Sequence, residues 1–89
     1  MLNLNYDSSS DVLYIGLADK SNSYGDEVAN GYVLLIDNDT DEITGLTIFD
    51  FMYRYNNGIL TTVSLPVHID YTNDVVPYIM PAPLAAGQN

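Results

Sequence analysis

The chain reads as an α+β protein: a small antiparallel β-meander sheet of four to five strands, one short helix near residues 50–57 and an extended, proline-rich C-terminal tail. Three observations predict this. Residues 31–51 (GYVLLIDNDTDEITGLTIFDF) set two runs of β-branched and apolar residues around a dense acidic turn, a strong hairpin signal. Upstream, apolar residues recur with a period of two, and this period breaks at Asp50. Finally, Pro77, Pro81 and Pro83 crowd the last part of the chain.

Taken in order, Leu2, Leu4 and Tyr6 alternate with Asn3 and Asn5, as in a strand with one buried face. Residues 7–11 (DSSSD) form a turn, because Asp and Ser side chains bond nearby backbone amides. Residues 12–17 (VLYIGL) form a second strand, with Leu13, Ile15 and Leu17 on one face and Val12 and Tyr14 on the other. Two apolar faces predict a central position in the sheet. Gly16 marks a bulge or a close backbone approach. Residues 18–25 are polar and read as a loop, residues 26–29 as a short edge strand, and Asn30-Gly31 as a type I′ turn.

The central hairpin follows, with strands at residues 32–37 and 43–49, a turn at 38–42 and a bulge site at Gly45. Asp50 is placed to cap a helix over residues 51–55, stopped by Asn57-Gly58. Residues 59–63 and 67–71 read as extended, with Pro66 between them confining that part to an edge strand or irregular crossing. From Val75 the prolines predict polyproline-like extension, although Val75, Val76, Tyr78, Ile79, Met80 and Leu84 are too apolar for a solubilising tail. One domain is therefore expected at residues 1–74, with a tail at 75–89.

With 89 residues, a single core buries roughly 60–65% of the unfolded chain's surface, so stability is modest unless a partner adds to it. No cysteine is present, which excludes disulfides and thiolate chemistry. The N-terminal MLNLNYD lacks the basic and apolar regions of a signal peptide, and no segment has membrane-spanning length; a soluble cytoplasmic protein is expected. Twelve Asp and Glu face only Lys20 and Arg54, giving a net charge of −10. Nucleic acid and anionic lipid both bind through clustered Lys and Arg, so neither is an expected partner. A basic protein surface is.

Candidate sites are few. Asp37, Asp39 and Asp41 match the first, third and fifth positions of an EF-hand loop. Glu42 then stands where glycine is needed, and Ile48 where a bidentate glutamate belongs; a hairpin turn explains the same residues. His68, the one histidine, shares a strand face with Asp70 and offers the start of a metal site or an acid–base pair, without zinc spacing. Tyr53, Arg54, Tyr55 and Tyr78 are candidates for an exposed partner-binding patch, or else for lids over the sheet. No nucleophile elbow or phosphate loop occurs. No catalytic residue and no cofactor is therefore expected.

Tyr6-Asp7, residues 11–17 (DVLYIGL), Glu27-Val28 with Gly31, residues 33–37, and residues 43–48 followed by Asp50-Phe51 resemble the pattern of a bacterial and phage family, domain of unknown function 2283. The resemblance covers about residues 4–51. It implies a small cytoplasmic β-meander domain with a short helix, and brings no activity, cofactor or catalytic residue. Ser, Asn and Asp fill loops where the family pattern leads one to expect Lys and Glu, and the segment after Asp50 extends beyond that pattern. The expected function is a non-catalytic module that binds a basic protein, in the manner of an antitoxin, inhibitor or nucleic-acid mimic. The alternative is a small cation- or ligand-binding protein using residues 37–42 or His68 with Asp70. Exposed edge strands and the apolar tail also make a homo-oligomer an expectation.

Overall fold

The computed structural model describes residues 2–79. Five strands form one antiparallel sheet: β1 (Asn3–Asp7), β2 (Val12–Gly16), β3 (Ser23–Ala29), β4 (Tyr32–Asp37) and β5 (Ile43–Phe49). Their spatial order is β1-β2-β5-β4-β3, so the β1-β2 hairpin and the β3-β4-β5 meander join where β2 pairs with β5. β2 thus takes the interior position that its two apolar faces predict.

The central hairpin has the expected strand bounds. Its register slips by one residue where Leu35 faces Gly45 but Ile36 faces Ile43, leaving Thr44 as the extra residue beside the expected bulge position. A Cβ on Gly45 would lie 2.8 Å from the Ile15 carbonyl oxygen, so only glycine lets β2 and β5 approach here. β3 begins at Ser23, inside the stretch expected to be a loop, because Ser23 and Tyr24 pair with Asp37 and Ile36. Pairing with β4 overrides weak local propensity. The Asn30-Gly31 turn is not type I′: Gly31 has φ 88° but Asn30 has no positive φ, and β3 carries a register shift between Glu27 and Ala29 instead.

One face of the sheet carries the core. Leu13, Ile15, Tyr32, Leu34, Leu46 and Ile48 lie buried against Phe51, Leu60 and Val75 from the second half of the chain. The expected helix is α1 (Phe51–Asn56), but Asp50 does not cap it. Asp50 sits in the left-handed region at φ 56° and makes no side-chain cap bond. The cap is Asp11, which comes from the β1-β2 turn: its carbonyl accepts the Phe51 N–H (3.0 Å), and its carboxylate accepts those of Met52 (2.8 Å) and Tyr53 (3.2 Å). At the other end, Gly58 N–H donates to the Tyr55 carbonyl and Ile59 N–H to the Arg54 carbonyl, which is the Schellman stop predicted from Asn57-Gly58.

Residues 59–63 and 67–71 do not add strands. Leu60–Thr62 is a 3-10 turn, with Thr61 and Thr62 hydroxyls donating to the Gly58 and Ile59 carbonyls. Residues 63–70 cross the sheet in irregular backbone, with Val63, Leu65, Val67 and Ile69 directed at the core. Asp70 then caps α2 (Tyr71–Asp74) by accepting the Asn73 N–H, and α3 (Val76–Ile79) follows. The expected tail therefore opens on a core residue, Val75, which is fully buried, and on a helical turn. Pro77 is tolerated there because the first turn of a helix has amide groups without intrahelical acceptors. The rest of the tail, including Met80, Pro81, Pro83 and Leu84, lies outside the described residues.

Candidate functional site

The acidic turn is built by its own carboxylates. Asp37 Oδ1 accepts the backbone N–H groups of Asp39 (2.8 Å) and Thr40 (3.0 Å). These bonds, Thr40 first, hold the Asp37 carboxyl below its ordinary pKa. Asp39 accepts from the Asn22 side-chain amide (2.9 Å), tying the 18–22 loop to the turn. Asp41 takes the left-handed position at φ 63°. Asp19, Asp39, Asp41 and Glu42 are exposed around this end of the sheet. Among the described residues no three His, Asp or Glu side chains are grouped so as to hold a metal ion.

His68 and Asp70 are both exposed and project from the same side of the irregular crossing, not from a strand. Asp70 is occupied by Asn73, whose backbone N–H (3.1 Å) and side-chain amide (2.8 Å) donate to its two oxygens. The Asn73 side chain above all, then its backbone, lowers the Asp70 pKa, with a smaller contribution from the His68 charge. The two residues border an open cleft of about 610 Å³ with Tyr55, Asn56 and Thr61.

The four partner-binding candidates do not form one patch. Tyr53 and Tyr78 are exposed at 63% and 66%. Arg54 folds back over the sheet: its guanidinium lies 4.9 Å from the Tyr32 ring centroid and its Nε donates to the Phe49 carbonyl (2.7 Å). Tyr55 stacks on Phe51 at 6.1 Å and acts as a core lid. Tyr78 borders a separate groove with Leu2, Leu4, Leu17 and Asp74. Interior packing thus takes two of the four, a division that residue type alone does not reveal.

The sequence showed a second apolar face on residues 12–17 alone; what it did not reveal is that β4 and β5 extend this face across the sheet. The described helices pack against the core face through Phe51, Met52, Tyr55, Tyr71, Val76 and Ile79. The opposite face carries Val12, Tyr14, Val33, Leu35 and Phe49, none of which belongs to the core cluster; Val12 is buried beneath its neighbours, and Val33 and Leu35 are half-buried. Strand register brings them together: Val12 faces Phe49, and Tyr14, Thr47 and Val33 form one cross-strand row. Tyr14 is 39% and Phe49 43% exposed. Asp7, Glu27 and Asp37 share this face and stand at its margins, opposite Val12, Val33 and Ser23 respectively. Lys20 lies at the β1 margin with Asn3, Asn5 and Tyr14. The period-two pattern held this signal, since the positions between the core residues of β2, β4 and β5 are also largely apolar.

No helix of the described residues is long and apolar enough to cross a membrane. No protein-family model, curated protein or solved structure gives a significant match to the chain, and the resemblance to domain of unknown function 2283 rests on the quoted residues alone.

Proposed function

We propose that this chain is a non-catalytic module that binds a basic surface on another protein. The observation that carries the reading is the disposition of charge. Ten of the twelve carboxylates are exposed, and the other two are only half-buried. Of the two cations, Arg54 is held against the Tyr32 ring and the Phe49 carbonyl, which leaves Lys20 as the exposed one. Such a surface attracts cationic partners from a distance and accelerates their association. A small domain with modest stability also gains from a partner that binds only its folded form.

The test is capture of proteins from a source-cell lysate on the immobilised chain at low and moderate salt, followed by titration of the retained protein in pure form. The reading predicts one basic protein, held at low salt and released as screening increases, with affinity falling at least about tenfold between about 50 and 300 mM salt. Retention that is indifferent to salt, or of acidic proteins, contradicts it.

A further inference from the structure

We infer that the open face of the sheet is the docking surface and that its occupant is a basic amphipathic helix of the partner protein. The inference rests on the reading of the chain as an acidic binding module and adds where the partner sits and in what form. A sheet apolar on both faces is stable when both faces are covered, and among the described residues the helices cover one. The apolar strip of Val12, Tyr14, Val33, Leu35 and Phe49 runs over β2, β5 and β4. Those three neighbouring strands span about 10 Å between outer axes. A helix is about 10–12 Å across, so one helix covers the strip.

Charge selects which helix. Asp7, Glu27 and Asp37 stand around the strip. Hydrogen bonds from Ser9 to Asp7, from the Gly31 N–H to Glu27, and from the Asp39 and Thr40 N–H groups to Asp37 fix the position of all three carboxylates. An apolar stripe flanked by Lys or Arg meets both the centre and the margins. A second copy of this chain would bring up a face with the same three carboxylates and one lysine on a chain of net charge −10, a like-charge approach that disfavours association. Lys20, at the β1 margin, leaves the β3 and β4 margins as the more acidic side.

The experiment uses two synthetic peptides of identical composition, Leu and Lys only. One has Leu at i, i+3, i+4 and i+7; the other is scrambled, with the same charge and no apolar stripe. Each is titrated into the isotope-labelled full chain and followed by amide shifts. The amphipathic peptide is expected to bind at least about tenfold more tightly, shifting amides of β2, β4 and β5. Tyr14→Ser with Phe49→Ser is expected to abolish that difference and leave the core resonances unchanged. Glu27→Lys, which keeps the apolar strip, is expected to weaken the amphipathic peptide at least about threefold. Equal affinity for both peptides, with shifts confined to residues 37–42, overturns the docking face and leaves the charge-driven reading standing. Failure of both peptides to bind overturns both. A concentration-dependent dimer dissolved by the Tyr14 and Phe49 changes identifies a second copy as the occupant and also overturns the inference.

Discussion

At the scale of single residues, Asp11 does the most to join the two halves of the chain. It closes the β1-β2 turn in the left-handed region at φ 57°, accepts the Tyr6 hydroxyl (2.7 Å), and satisfies three amides at the start of α1. Desolvation raises its pKa, but the bonds from Met52, Tyr6 and Tyr53 outweigh this, and the carboxyl titrates below its ordinary value of 3.8. Its contribution is therefore present in full above about pH 4 and is lost as pH falls through the lower folded value. Asp11→Ala is expected to cost about 1–2 kcal/mol at pH 7 in a denaturant titration, and the difference from wild type should shrink in acid. Tyr6 and Tyr71 behave in the opposite sense. Burial above all raises both from 10.0 to about 12. The stability they contribute is complete below pH 10 and declines as pH rises towards 12, so alkaline unfolding should be blunted in Tyr71→Phe. Tyr32 is fully buried with its hydroxyl unpaired among the described residues. Removing that oxygen deletes an unsatisfied polar group, so Tyr32→Phe should leave stability unchanged or raise it in the same assay.

At the scale of elements, the turns decide more than the strands. Gly31 has φ 88°, and an added Cβ would run into the Arg54 guanidinium. Gly31→Ala is expected to cost roughly 1–3 kcal/mol by thermal melting, from backbone strain and the loss of Arg54 from the Tyr32 ring. The strands were legible in the sequence because period-two patterning and β-branched runs agreed, and β4 and β5 have the bounds read from it. The ends of β3 were not, because its pairing with β4, not its own residues, extends it to Ser23. The helix at residues 51–56 was legible, but its cap was not: Asp50 is the local candidate, whereas Asp11 reaches it across forty residues of sequence. At residues 59–71 the sequence left an edge strand or an irregular crossing open, and the crossing is what forms, after a 3-10 turn at Leu60–Thr62. Val63, Leu65, Val67 and Ile69 alternate as a strand does, yet they line the core from a crossing with Pro66 in its middle and no ladder. The acidic turn was legible as a turn, and the exposed aromatics only in part, since nothing local distinguishes Tyr53 from Tyr55.

At the scale of the molecule, two properties stand in opposition. Among the described residues the core closes over one face of the sheet, and Val75 is a fully buried member of it. Val75→Ala, in the segment expected to be a tail, is expected to cost roughly 1.5–3 kcal/mol in a denaturant titration, the loss of a core side chain and not of a tail residue. Meanwhile a net charge of −10 on a small surface repels itself, and added salt should raise the melting temperature of the free chain. The same salt should weaken partner binding, so stability and affinity move in opposite directions along one titration. The most direct measurement is therefore calorimetric titration of the captured basic protein across a salt series, into wild type and into Asp39→Asn/Asp41→Asn/Glu42→Gln. These three exposed carboxylates lie in a turn outside the core. A charge-driven module loses affinity steeply with salt, and the neutralised variant binds more weakly with a shallower salt slope while melting no earlier than wild type. Affinity that ignores both the salt and the three substitutions contradicts it.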